Sequence, residues 1–184
     1  MKKIILVCCC IFLSWSAEAL ELAGVNVPDK AEVNKTTLQL NGVGIRTKFF
    51  FSVYIGALYL GKKTHDAAAV LADSGAKRVM MVMLMGLSSK RIRDGFDDDL
   101  KANDTPKQLA PQVKQFLAIF DTFKEVKKGD VLDLDYIPSE GMRVSLNGKE
   151  MGRVAGSEFS RALLKVWLGL EPADSNLEKG MLGE

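Results

Sequence analysis

Cysteine is nearly absent from the chain, and where it occurs it is confined. Of 184 residues only three are cysteines, and they are consecutive: Cys8, Cys9 and Cys10. Histidine occurs once, as His65, flanked by Thr64 and Asp66 in a polar stretch. A Ser-His-Asp arrangement or a multi-histidine zinc site would have to be built on that one residue, which reads instead as an exposed turn position. An excess of one charge is missing too: 25 Lys+Arg against 23 Asp+Glu leave a formal +2. Such a balance argues against a polyanionic partner and so against nucleic acid. No apolar run approaches the roughly 20 residues of a membrane-spanning helix. No repeat, low-complexity tract or Pro/Gly-rich linker divides the sequence, so a single domain is expected.

The cysteines fall inside a recognisable segment. Met1-Lys2-Lys3 is a short basic start, Ile4 to Leu13 are apolar without a break, and Ala17-Glu18-Ala19 places small residues at a cleavage site. This is the order of a secretory signal peptide. Cleavage is predicted after Ala19, giving a leader over 1–19 and a domain over 20–184. The remaining 165 residues carry 23 basic and 22 acidic side chains, a net +1, and no cysteine. Thiol catalysis and thiolate metal sites are thereby excluded from the expected mature protein. No cofactor is expected.

The rest of the chain reads as strands, then helices, then strands and a helix. Leu22 to Val27 alternates weakly as a strand and stops at Pro28. Thr37 to Leu60 is rich in β-branched and aromatic residues, with a turn or bulge expected at Asn41-Gly42. Asp66 caps a short Ala-rich helix. Arg78 to Met85 is almost continuously apolar, the pattern of a strand buried on both faces. Ser88 or Ser89 opens a helix to about Lys101, and Thr105-Pro106 opens another with its apolar stripe from Leu109 to Phe123. Strands follow at Val131–Ile137 and Met142–Leu146. Asn147-Gly148 makes a hairpin turn into 150–154, and a last helix runs from Ser157 to Leu168. The class is α+β, with a bent, largely antiparallel sheet covered by helices on one side.

Three features invite chemistry. Met81, Met83 and Met85 share one strand face by the two-residue period; they suit Cu(I) by softness, but more simply form an adaptable apolar wall. Asp97-Asp98-Asp99 fan out around a helix and read as solvated, as do Asp133 and Asp135 on a strand whose inner face is Leu132, Leu134 and Tyr136. Most distinctive is Leu40-Asn41-Gly42-Val43-Gly44-Ile45-Arg46, followed by Ile55-Gly56 and Tyr59-Leu60.

This last stretch resembles the chalcone isomerase superfamily, in particular its exported bacterial chalcone-isomerase-like branch. Gly42-x-Gly44-x-Arg46 is similar to the family's Gly-x-Gly-x-Arg strand, and the helix with Ser160, Leu164 and Gly169 to its last core helix. The resemblance implies an open-faced sandwich with a ligand cleft between sheet and helices, and Arg46 as the substrate-anchoring arginine. The family's first threonine falls at Val53 and that of its last helix at about Val166, while its tyrosine and asparagine fall near Ser88 and Gly95. The hydroxyls that polarise a chalcone ketone are thus largely missing. What the resemblance leaves is a non-catalytic binding protein for a fatty acid or similar amphiphilic carboxylate, monomeric and periplasmic. Its ligand-binding residues would be Arg46, Val53, Tyr54, Met81, Met83 and Val166. Tyr54, Tyr59 and Tyr136 all remain candidates for a second hydrogen bond to the ligand. The alternative is an isomerase of the intramolecular-lyase type acting on an enone, with an amphiphilic or aromatic ligand in either case.

Overall fold

A computed structural model describes residues 19–184; apart from Ala19, the expected leader lies outside them. Eleven strands and five helices follow in order: β1 Ala19–Leu22, β2 Val25–Pro28, β3 Lys30–Val33, β4 Thr36–Lys48, β5 Phe51–Leu60, α1 Ala67–Ala72, β6 Lys77–Met83, β7 Leu87–Ser88, α2 Ser89–Ala102, α3 Ala110–Ile119, β8 Glu125–Val126, β9 Val131–Ile137, β10 Gly141–Leu146, β11 Lys149–Val154, α4 Ser157–Leu168 and α5 Ser175–Met181. Seven strands form one antiparallel sheet in the order β11-β10-β9-β6-β5-β4-β3. The sheet curls at three bulges, each with one extra residue: Asn41 of β4 opposite β5, Val53 of β5 opposite β4, and Met151 of β11 opposite β10. Each bulge adds local twist to a strand.

Local chemistry explains most boundaries. The Asp66, Ser88 and Asp174 side chains accept backbone N–H groups at the starts of α1, α2 and α5, meeting donors that the helix leaves unpaired. Asn147 and Gly148 both take positive φ, 51° and 77°, as a tight hairpin with right-handed twist requires. Two boundaries depart from the sequence pattern. After Thr105-Pro106 the chain first makes a 3₁₀ turn at Lys107–Leu109, and α3 begins only at Ala110, with Pro111 in its first turn. At Asn41 the backbone bulges, and the reversal between β4 and β5 comes at Phe49-Phe50.

Both faces of the sheet are covered. On one side α2, α3 and α4 pack Phe96, Phe116, Phe120, Phe159 and Trp167 against Leu58, Val79 and Leu134. On the other, the curl and the β1–β2 hairpin enclose Val27, Leu38, Ile55, Tyr59 and Val82. The Tyr59 hydroxyl donates to the Pro28 carbonyl at 2.9 Å. That second cluster corrects the expectation for Asp133 and Asp135, which are buried rather than solvated. Asp135 is held in a two-point pair by Arg78, with Nη2 to Oδ2 at 2.8 Å, and by Arg143 at 2.6 Å. An alternating strand reads as half-solvated only when nothing covers its polar face; here the curl supplies the cover.

Candidate functional site

A cavity of about 420 Å³ opens between the helical face of β4–β6 and α2. Its construction starts with glycine. Gly42, Gly44 and Arg46 are alternate residues of β4, on one face of the strand. A Cβ on Gly42 would stand 2.2 Å from the Gly180 carbonyl oxygen, and one on Gly44 3.0 Å from the Leu177 backbone. A Cβ on Gly180 would in turn meet the Val43 oxygen at 2.5 Å. The glycines therefore form a trough in which α5 lies backbone to backbone. Two bonds fix it there: the Asn41 amide donates to the Met181 carbonyl at 2.9 Å, and Asp174 accepts the Thr47 N–H at 2.9 Å. Just beyond the trough, Arg46 is the first residue of that face with a long side chain, and it lines the cavity.

Register does the rest. Arg46 pairs with Tyr54 on β5, and Tyr54 with Met83 on β6, a row across three strands. The Arg46 guanidinium carbon lies 5.8 Å from the centre of the Tyr54 ring. The Tyr54 hydroxyl accepts the Trp167 indole N–H at 2.9 Å, and Trp167 stands edge-on to Phe96, with centroids 5.9 Å apart. Met81, Met83, Met85, Val53, Leu87, Ile92 and Phe96 make the apolar wall. Lys48, Arg91, Asp94 and Asp98 complete the lining, and Asp94 is paired with Lys90 at 2.5 Å.

Of the residues expected at the site, the structure brings together Arg46, Val53, Tyr54, Met81 and Met83 on this cavity. Val166 is fully buried on α4 and is not part of the lining. Gly95 lines the cavity; Ser88 instead caps α2. Among the tyrosines, Tyr54 faces the cavity, Tyr59 faces the opposite core, and Tyr136 lies over Lys77, 5.1 Å from ring centre to Nζ. His65 is exposed, as expected, with Nδ1 2.6 Å from the Leu182 carbonyl oxygen.

One partner of Arg46 was not foreseen. Asp99, expected in water with its neighbours, holds the guanidinium through Oδ2 at 3.2 Å from Nη1, with the two side chains 18% and 14% exposed. The sequence carries a faint signal of this: Ile92, Phe96 and Asp99 follow at steps of four and three, so Asp99 sits on the buried stripe of α2. Burial raises the pKa of Asp99 above the usual carboxylate value, and the attraction of Arg46 does not cancel it. Burial also works against the Arg46 charge, but Tyr54 and Asp99 outweigh it and hold the pKa above its ordinary value. Burial pushes the Tyr54 phenol up, so it stays protonated at neutral pH. Tyr54 makes no hydrogen bond as a donor among the described residues. The arrangement is thus a permanent cation and a neutral phenol beside an apolar wall, with Lys48, Arg91, Asp94 and Asp98 on the remaining lining. Its lining has no serine, threonine, histidine or asparagine.

Comparison with known proteins follows the same lines. A family model described as chalcone isomerase-like matches residues 19–183. No curated protein matches the chain. Among solved structures, a crystal structure of a fatty-acid binding protein from Arabidopsis thaliana superposes with a TM-score of 0.68. It is 16% identical over 90% of this chain and 96% of that one.

Proposed function

The chain belongs to the chalcone isomerase-like family, and from that premise we propose that it is a non-catalytic binding protein for a fatty acid or similar amphiphilic carboxylate. One observation carries the reading: the pair Arg46 and Tyr54 adjoins an apolar wall of three methionines, Val53, Leu87, Ile92 and Phe96, in a cavity whose other charged lining residues are Lys48, Arg91, Asp94 and Asp98. A guanidinium has five N–H donors, and the contact with Asp99 engages one edge of it. The rest meet a ligand carboxylate, and the phenol adds a second, neutral donor. Methionine side chains, unbranched and adaptable, suit an acyl chain of no fixed shape. At about 30 Å³ each, water's share of the liquid, the cavity offers space for roughly a dozen small groups.

Fatty-acid binding by the Arabidopsis protein of the same fold agrees with this reading. By the family resemblance of the sequence, Val53 falls where a catalytic member would carry a threonine. The lining holds no serine or threonine hydroxyl beside the Tyr54 phenol, so the threonine-and-tyrosine pair that the isomerase alternative calls for is incomplete. The N-terminal leader pattern places the protein, in this proposal, in a bacterial periplasm after cleavage behind Ala19, as a monomer of the exported branch of the family. N-terminal sequencing of protein recovered from the periplasm tests that part.

The ligand test is native mass spectrometry of the purified protein, with titration of dodecanoate into delipidated wild type and Arg46→Ala. A co-purifying carboxylate and a loss of affinity in the variant are expected. Wild-type protein with no bound lipid, and with no dodecanoate affinity above that of Arg46→Ala, overturns the proposal. Turnover of an enone panel would restore the isomerase reading.

A further inference from the structure

Five large apolar side chains stand exposed among the described residues, and three of them are consecutive: Phe49, Phe50 and Phe51, 83%, 98% and 64% exposed. They form the tip of the β4–β5 hairpin. Phe49 takes a φ of 57°, a left-handed backbone that a bulky side chain seldom adopts. Gly or Asn would make this turn without strain, so turn formation does not account for phenylalanine here. Phe49 and Phe51 also line the cavity mouth, whereas Phe50 projects clear of it.

The strand registers place other turns at the same end of the sheet. Lys48 pairs with Phe51, Val131 with Val82, and Lys149 with Leu146, which faces Leu132. The Gly129 N–H donates to the Met83 carbonyl at 2.8 Å. The tip is therefore accompanied by Lys127, Lys128 and Lys149 on neighbouring turns, by Lys48 beside it, by Lys124 next to β8, and by Arg91 at the cavity mouth. All six are exposed, and none is in an ion pair among the described residues. The acids at this end are largely engaged. Asp94 is paired with Lys90, and Glu150 with Arg153. Asp130 accepts the Lys127 N–H and the Asn147 amide. Glu125 and Asp98 remain.

We propose that this end of the molecule docks on an anionic phospholipid bilayer, with Phe49, Phe50 and Phe51 entering the interface and the lysines resting on the headgroups. Aromatic side chains partition to that interface, and exposed basic residues beside it gain from anionic lipid. A second copy of the chain fits less well, because joining two tips would bring two sets of lysines together. The docked orientation turns the cavity mouth toward the lipid. It deepens the proposed function by naming the source of the cargo, and it rests on that reading for the cargo alone.

The test is flotation with vesicles of phosphatidylcholine, with and without phosphatidylglycerol, using protein purified in soluble form from cells expressing the whole chain. Wild type is expected to float with the anionic vesicles and to lose binding as salt rises. Phe50→Ser, which removes no packing contact, is expected to partition about tenfold less or weaker, with its dodecanoate affinity in solution unchanged. The double variant Lys127→Glu/Lys128→Glu is expected to lose the preference for anionic lipid. Absence of wild-type binding to either vesicle overturns the proposal, as does Phe50→Ser floating as wild type does. A Phe50-dependent dimer in sedimentation velocity without vesicle binding would assign the tip to a second copy and overturn it likewise. Vesicle binding without dodecanoate affinity leaves the docking standing and removes the cargo; dodecanoate affinity without vesicle binding does the reverse.

Discussion

Replacing Asp99 by asparagine separates what the Arg46–Asp99 pair does for the fold from what it does to the ligand. At 3.2 Å, Coulomb attraction amounts to about 5 kcal/mol at an effective dielectric constant of 20. Taking the carboxylate out of water costs several kcal/mol, and the raised pKa of Asp99 says that this cost prevails. Asp99→Asn keeps an acceptor beside the guanidinium but leaves the Arg46 cation without its counter-charge, so it is expected to destabilise the fold at neutral pH by up to about 3–5 kcal/mol, measured by urea denaturation. Ligand binding responds differently. A fatty-acid carboxylate on the free edge of the guanidinium would sit about 6 Å from Asp99, where like charges cost about 0.7 kcal/mol at the dielectric constant of water and about 2.8 at 20. Removing the charge should raise dodecanoate affinity between about threefold and about a hundredfold. Isothermal titration at neutral pH reads this, with dodecanol, which carries no charge, as the control that should not respond. A loss of affinity would show that Asp99 positions Arg46 rather than competing for it. No change at all would mean that the carboxylate does not sit on Arg46.

The same pair makes a pH prediction. Because the folded-state pKa of Asp99 is raised, its contribution to stability is fully present below the ordinary carboxylate pKa and is lost as pH rises through the folded value. The stability of wild type relative to Asp99→Asn should accordingly increase on acidification from neutral pH; a decrease in matched urea titrations would mean that Arg46 outweighs burial. Tyr54→Phe leaves the Trp167 indole N–H without its acceptor and should cost about 1–3 kcal/mol; an unchanged urea midpoint would show that the bond contributes nothing. Gly42→Ala would set a Cβ 2.2 Å from the Gly180 oxygen. It should destabilise by about 1–3 kcal/mol and expose the α5 amides to faster hydrogen exchange, whereas Gly95→Ala, with open space around it, should do neither.

The elements were largely legible because their signals are local. Ser88, Asp66 and Asn147-Gly148 act within three or four residues of themselves, and the apolar run at 78–85 announced burial on both faces without reference to anything distant. The site was legible only in part. Arg46, Tyr54, Val53, Met81 and Met83 converge as the strand periodicity and the family pattern suggested, but Val166 belongs to the core of α4. Gly42 and Gly44 stood out in the sequence as positions of backbone freedom. Their actual constraint is the approach of α5, a short helix with too few apolar residues to be recognised from its own pattern.

What the sequence determined by itself is what depends on neighbours along the chain: the spans of most strands and of α1, α2 and α4, their caps, the hairpin at Asn147-Gly148, and a methionine face of period two. Tertiary structure alone decided what depends on distant residues meeting. It brought Asp99 to Arg46 across 53 positions of sequence, buried Asp133 and Asp135 under the curl of the sheet, and chose Tyr54 over Tyr59 and Tyr136. It also turned three phenylalanines of an apparently continuous strand into an exposed tip. Side-chain direction alternates with every residue of a strand, so a single bulge or an unforeseen turn exchanges inside for outside. That exchange is set by pairing and closure of the whole sheet, and no local stretch of sequence contains it.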